Sequence, residues 1–524
     1  MPEDLTHKEF IKTATMGIDA VNTIGTFPEK VFAEDNLSVK TRYGTFNGFL
    51  DKNGVKTWFG IPYAQPPVEK LRWRDPQPLK TSNKTFDAKK LGFTAVQSID
   101  DKEPASKNPQ SEDCLTLNIW RRSDKKNLPV MVWIHGGGLV GGGTSDPLYN
   151  GSNFVAANDV ILVSFNYRLN IFGFMNFAAI DKNFEDSSGY LGTKDQIAAL
   201  KWIKENISEF GGNPDNITIF GESAGSISCT FLSIIPAAKN LFNKAIPQSG
   251  SLLYYSKPEN SARLAEMFLE ISGEKNVSNL MKKSTNELKN IYKKLIEMRE
   301  SAAIIDFFPT CDGKFLPKNP LKALKDGAAR GIKFLTGTTG DEYRYLAALG
   351  ETFSEHLREN YKKISPVMKN SDFENVDEIY KKWLKDRTDN EENFVTFANN
   401  VDWRIGQELF AEYQSNFNDV YFYLFSQYSA IENLRSCHMV DVPYTFNVGN
   451  DFVPNPDQNF TRIIQASWAA FAATGNPNNE LIPHWEKYSA DNRQTMELNS
   501  KGCLLHKDLN TENLNTLRYV YESY

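Results

Sequence analysis

A serine acts as a nucleophile where a base can take its proton and a constrained backbone exposes its oxygen. Gly221-Glu222-Ser223-Ala224-Gly225 meets the second condition, and it is the chain's one Gly-x-Ser-x-Gly. It follows the apolar run Ile217 to Phe220 and precedes Ile227 to Leu232, where a helix can begin. Strand, tight turn and helix form the setting in which a serine stands out on a strained corner. Glycines at both ends let the backbone close tightly around that corner. The N-terminus of the following helix favours negative charge developing beside it. A plain Gly-rich turn with an exposed serine would also fit these five residues, so the chemistry depends on partners elsewhere.

A second feature is His135-Gly136-Gly137-Gly138, directly after the apolar run Val130 to Ile134. Such a loop can turn several backbone N–H groups towards one point, as stabilising an oxyanion requires. The rival is a phosphate cradle, to which Gly141-Gly142-Gly143 would add. Phosphate loops end in Gly-Lys-Ser/Thr or keep dinucleotide spacing with a later acid, and neither is present. For the base there are six histidines: His7, His135, His356, His438, His484 and His506. His7 lies in a polar terminus, His356 in a charged stretch, and His135 belongs to the glycine loop, where its ring would orient backbone. His438 follows the apolar run ending at Phe425, at the edge where a parallel sheet places its chemistry. On position alone a structural histidine would be favoured. In folds with such an elbow the acid lies between serine and histidine in the chain. Gly337-Thr338-Thr339-Gly340-Asp341-Glu342 offers two carboxylates there; either could serve, leaving the other a solvated loop acid.

The elements that must position these residues read as an α/β sheet. Val130 to Ile134, Val160 to Ser164 and Ile217 to Phe220 are continuous apolar runs, the pattern of strands buried on both faces. Ile197, Leu200, Ile203 and Ile207 form one helical face between the last two, with Thr193 and Gln196 as a capping box. Strand, helix, strand implies a right-handed parallel crossover. Ile332 to Thr336 and Val420 to Phe425 extend the same sheet. Residues 257–305 and 351–410 are rich in Lys, Glu and Asn with helical spacing, and read as helices inserted over the sheet. The expectation is an N-terminal extension, 1–37, and a single α/β domain over 38–524.

Composition bounds the function. With 40% hydrophobic and 24% charged residues, the 524-residue chain can bury a large core. Its 65 acidic against 59 basic residues, a net −6, argue against a nucleic-acid protein, which needs a basic face. No apolar run approaches the length of a membrane span. Residues 1–30 lack the basic start and apolar middle of a signal peptide. Cys114, Cys229, Cys311, Cys437 and Cys503 are scattered, with neither a disulfide framework nor metal-ligand spacing. The expectation is a cytoplasmic protein without a metal or organic cofactor.

Phe210-Gly211-Gly212-Asn213-Pro214-Asp215-Asn216, continuing through Ile217 to Gly225, resembles the serine signature of type-B carboxylesterases, the family of cholinesterases and fungal lipases. Glu112-Asp113-Cys114-Leu115-Thr116-Leu117-Asn118-Ile119-Trp120 resembles that family's second signature. The stretches Phe59 to Pro67, Ser164 to Phe174, Ala245 to Gly250, Phe308 to Pro317 and Trp468 to Asn478 are similar too. The likeness runs from about residue 38 to 520. It implies an α/β-hydrolase fold, a mostly parallel sheet with helices on both faces. It further implies Ser223 as nucleophile, Glu342 as acid and His438 as base, with the N–H groups of Gly137, Gly138 and Ala224 as the oxyanion hole. Glu222 matches an acid that orders the site in relatives; Glu112 and Arg168 match a structural ion pair beneath it.

The chain also departs from the family. Animal relatives pair the cysteine matching Cys114 with one near Gln97; here that position is Ala95, which agrees with a bacterial-type intracellular member. Leu139 stands where many relatives carry an aromatic residue, and Ser226 replaces a third glycine; both are expected to border the substrate pocket. The resemblance implies hydrolysis of small-molecule carboxylic esters through an acyl-enzyme. The alternatives are a narrower lipase or lactonase, or a non-catalytic binding protein on the same fold.

Overall fold

The computed structural model describes residues 37–97, 108–250, 253–298, 307–348, 358, 361–362, 365–370 and 375–522. The expected extension 1–37 falls, but for Leu37, outside the described residues, as do His7 and His356.

An eleven-stranded sheet is the spine. In chain order its strands are β1 (Phe49–Leu50), β2 (Lys56–Pro62), β3 (Thr116–Arg121), β4 (Leu128–Ile134), β5 (Ile161–Phe165), β6 (Gly212–Glu222), β7 (Lys244–Gln248), β8 (Lys333–Thr339), β9 (Val420–Phe425), β10 (Thr495–Leu498) and β11 (Leu504–His506). Their spatial order is β1-β2-β3-β5-β4-β6-β7-β8-β9-β10-β11. From β5 to β10 all neighbours run parallel, while the pairs at the two margins are antiparallel. The five apolar runs all lie in this sheet. Their continuity has a physical cause: in β4, Val130, Val132 and Ile134 enter one hydrophobic core, whereas Met131 and Trp133 enter another on the opposite face. With both faces covered there is no polar alternation to see. The strands read as parallel form the middle, and the antiparallel margins make the sheet mixed.

Among the helices are α1 (Leu191–Asn206), α2 (Ala224–Ile234), α3 (Pro258–Ser272), α4 (Thr285–Met298), α5 (Glu342–Ala348), α6 (Glu391–Asn399), α7 (Ile405–Ser415) and α8 (Gln458–Thr474). The first core holds Ile197, Leu200 and Ile203 of α1; Trp468 and Phe471 of α8 lie in the second. The expected capping box is absent. α1 begins two residues earlier, Thr193 is buried inside its first turn, and Gln196 donates from Nε2 to Ser228 Oγ on α2 at 2.9 Å. A side chain committed to a neighbouring helix cannot reach back to its own N-terminus.

Within 257–298 lie α3, a short turn at Val277–Leu280 and α4; the end of that expected insert, 299–305, lies outside the described residues. The described parts of 351–410 include Pro366–Asn370, Val376–Leu384 and α6, then a π-helical turn, Asn400–Arg404, that runs into α7. Single π turns inside helices are uncommon and cluster at functional sites.

Candidate active site

β6 ends at Glu222, and α2 starts at Ala224, three residues earlier than the apolar pattern suggested. Ser223 alone makes the corner. Its backbone lies at φ 57° and ψ −122°, a left-handed conformation that an L residue keeps only when its surroundings hold it. Its N–H donates to Gln248 O of β7 at 3.0 Å, and its carbonyl accepts from Ile227 N at 3.0 Å. The glycines act by steric room. A Cβ on Gly221 would lie 2.5 Å from Ile134 O and 2.8 Å from Gly225 C; one on Gly225 would lie 2.0 Å from Ile134 O. The elbow is thus pressed against the end of β4, while Ser223 stays partly accessible between buried neighbours.

The glycine loop lies beside it. A Cβ on Gly136 would come within 3.3 Å of Ser223 Cβ. Gly137 is exposed, with φ 102°, and Gly138 has φ 62°. The Gly137 carbonyl accepts from Val140 and Gly141, which locks the loop as a turn. Ala224 is the first residue of α2, so its N–H has no acceptor within the helix. His135 is fully buried: its ring stacks on Tyr167 at 4.4 Å, and Nδ1 lies 2.8 Å from Gly136 O. Burial lowers its pKa to about 4, so it is a neutral ring that orients backbone.

β8 and β9 deliver the other half. Glu342, wholly buried, opens α5, and its Oε1 accepts from Thr339 N–H at 2.8 Å. His438, also buried, puts Nδ1 2.6 Å from Glu342 Oε2. Its Nε2 lies 3.0 Å from Glu222 Oε1. The structure therefore brings Glu342, His438 and Glu222 together; among the described residues Nε2 meets Glu222, and no hydrogen bond joins it to Ser223 Oγ.

The electrostatics follow from this crowding. Burial alone would depress the His438 pKa, but the Glu222 and Glu342 carboxylates outweigh it and raise it to about 9. Glu222 is pushed to about 8, chiefly by burial, with His438 pulling the other way. Asp441 lies behind them, raised by burial to about 6, and accepts from Gln248 Nε2 at 2.8 Å. One buried imidazolium among three acids favours a shared proton over three full charges.

Several expectations are corrected. Asp341 is no solvated loop acid: it is partly buried, 3.3 Å from Arg344 Nε, and its N–H donates to Ser436 O at 2.9 Å. Glu112 does not pair with Arg168. Glu112 takes Arg72 in a bidentate contact at 2.6 and 2.7 Å, whereas Arg168 takes Asp195 at 2.7 Å through two nitrogens. Buried charges need close partners, and each arginine has its own. Leu139 and Ser226 do not border an open pocket: both are wholly enclosed. Leu139 joins the first core, and Ser226 packs against Gly250 and lies 3.4 Å from Gln407 Nε2.

Two aromatic residues escaped the sequence reading. The ring of Trp403, in the π-helical turn, sits 4.5 Å from the His438 ring; Tyr345 lies at 6.2 Å. No local pattern marked them, because apolar spacing does not reveal a π turn. Among the described residues no group of three or more His, Cys, Asp or Glu could hold a metal, and no helix is long and apolar enough to cross a membrane.

A mixed sheet with a serine elbow after its central strand and a buried acid–imidazole pair beyond defines the α/β-hydrolase class. The comparisons place it more closely. A family model described as the carboxylesterase family matches residues 35–517. The para-nitrobenzyl esterase of Bacillus subtilis (strain 168) is 36% identical over 482 residues, 88% of this chain and 95% of its own. A thermophilic para-nitrobenzyl esterase structure superposes with TM-score 0.81 at 34% identity, over 92% of this chain and 100% of its own. A Geobacillus stearothermophilus carboxylesterase gives TM-score 0.81 at 31% identity, over 92% and 99%. The chain belongs to the carboxylesterase family and is a carboxylic ester hydrolase.

Proposed function

We propose that Ser223, Glu342 and His438 are the catalytic triad, and that the N–H groups of Gly137, Gly138 and Ala224 bind the oxyanion. The observation that carries this reading is the 2.6 Å contact of His438 Nδ1 with the buried Glu342, two strands away from the strained Ser223 corner. His438 takes the Ser223 proton through Nε2 as the oxygen attacks the ester carbonyl. Glu342 fixes the imidazole tautomer and stabilises the imidazolium. The three N–H groups take up the negative charge of the tetrahedral intermediate. The imidazolium then protonates the departing alcohol, and water repeats the attack on the acyl-serine with His438 as base.

Glu222 occupies the Nε2 side in the resting site. With its carboxyl protonated it stabilises no imidazolium, so His438 is freer to act as base; ionised, it holds the imidazolium. The substrate class is a small-molecule carboxylic ester. The broad reading is preferred to a lipase or lactonase, because the relatives named above are para-nitrobenzyl esterases and a carboxylesterase. An intracellular setting belongs to the same proposal, supported by Cys114, Cys229, Cys311, Cys437 and Cys503, all unpaired thiols.

The test is hydrolysis of p-nitrophenyl esters of increasing acyl length, with Ser223→Ala alongside. Rapid cleavage of short chains is expected, with kcat falling on the order of 10⁶-fold in the variant. Variant turnover within tenfold of wild type would refute Ser223 as nucleophile; a preference for long chains would move the protein to the lipases.

A further inference from the structure

Helix α6 grips both of the loops that carry Glu342 and His438. At its C-terminal end the buried Asn399 accepts from Tyr343 N–H through Oδ1 and donates to Gly340 O through Nδ2, each at 3.3 Å. Those two contacts flank Glu342 on either side. Near its N-terminal end, Glu392 pairs with Arg344 Nη2 and, at 2.9 Å, with Arg435 Nη1. Arg344 lies two residues beyond Glu342, and Arg435 three before His438. Asp341 sits between the same arginines, 3.3 Å from Arg344 and 3.8 Å from Arg435. Directly after Asn399 the chain enters the π-helical turn that lays Trp403 on the imidazole.

The histidine loop needs such a hold. Arg435 (φ 49°) and Met439 (φ 69°) are both non-glycine residues in the left-handed region. Conformations of that kind persist only when the surroundings over-determine them.

We propose that α6 is a strap that sets the Glu342–His438 geometry, with Glu392 and Asn399 as its positioning residues. This inference rests on the triad reading and deepens it. The strap works through position, and the Glu392–Arg435 arm of its clasp is exposed, with Glu392 49% and Arg435 41% accessible, while Arg344 on the inner arm is 16% accessible. Ion pairs so exposed contribute little to the stability of a fold. Releasing the clasp therefore moves the reaction without moving the melting temperature, which separates a positioning role from a merely structural one. The groups facing the imidazole are Glu342, Glu222 and Asp441, with Trp403 and Tyr345 as its aromatic neighbours. Loosening Glu342 lowers the basicity of His438.

The experiment compares Glu392→Gln, Arg435→Gln, the double variant and Asn399→Ala with the wild-type protein on one short ester. For Glu392→Gln, kcat is expected to fall about tenfold with KM within about twofold, because small misplacements of catalytic groups act on the transition state. The acid limb of its pH–rate profile moves to lower pH, and its melting temperature stays in place. The double variant loses less than the product of the two single losses, because both substitutions open the Glu392–Arg435 contact. Asn399→Ala loses more, since it frees both sides of Glu342. Unchanged kcat and acid limb in Glu392→Gln and Asn399→Ala overturn the strap, and so does a loss of kcat that merely tracks a loss of folded protein. Ser223→Ala in the same assay keeps the two readings apart. Retained turnover there overturns the triad and the strap with it, whereas lost turnover there with an unmoved Glu392→Gln overturns the strap alone.

Discussion

The Ser223 side and the His438 side of the site are held by different means. Around Ser223 the holding groups are main chain. Gly221 and Gly225 leave no room for a Cβ against Ile134 O, and Gly136 packs beside Ser223 itself. Around His438 they are side chains: Glu342 and Glu222 on the ring nitrogens, Trp403 over the face, and the arginines and acids of the α6 clasp outside. A site held by backbone has little freedom to be tuned without being broken. A site held by side chains can be graded, because each contact contributes separately.

Three substitutions sharpen that contrast. Glu342→Gln removes the charge that fixes the imidazole and leaves the shape almost unchanged; kcat is expected to fall on the order of 10⁴-fold, measured by steady-state ester hydrolysis. A loss below tenfold would mean that another acid, Glu222 or Asp441, supports the imidazole. Gly137→Ala tests the main-chain side. Its Cβ would meet Gly141 O at 2.3 Å with φ at 102°, so the loop must shift, and with it the N–H proposed to bind the oxyanion. The expected cost is about 10²–10³-fold in kcat, as when one such donor is lost. A KM effect with unchanged kcat would place that loop in substrate binding instead.

The smallest effect is that of Glu222→Gln, and its sign is set by charge. The Glu222 carboxylate helps to raise His438 to about 9, so removing it lowers that pKa and moves the acid limb of kcat/KM to lower pH. Stability follows the same linkage. A histidine raised from 6.5 to about 9 stabilises the fold fully below pH 6.5, and this contribution is lost as pH rises through 9. The wild-type melting temperature should fall over that window, and less steeply in Glu222→Gln. An acid limb that stays in place in the variant removes Glu222 from the proton balance of the site.

Legibility in the sequence followed the same division. The strand runs and the Gly-x-Ser-x-Gly corner depend on residues adjacent in the chain, and they stand in the fold where periodicity put them. The ends of the elements were less legible: α1 starts before its supposed cap, because Gln196 serves α2. Position alone left Asp341 and Glu342 equal as acids. In the fold, Glu342 turns inward to His438 while Asp341 is taken by Arg344 and by the backbone of Ser436. The partners of Arg168 and Glu112 were misjudged for the same reason, since ion pairs between distant segments leave no mark on local spacing.

What the chain determined by itself is therefore the backbone chemistry. Apolar continuity makes parallel strands, and glycine at fixed offsets makes a corner and a turned loop, because steric limits act between near neighbours. What tertiary structure alone decided is which carboxylates meet the imidazole, what covers it and what holds it. Those contacts join residues 216 positions apart for Glu222 and His438, and 35 apart for Trp403 and His438. Their energies depend on burial and distance, and both exist only once the sheet, the insert and the loops have packed together.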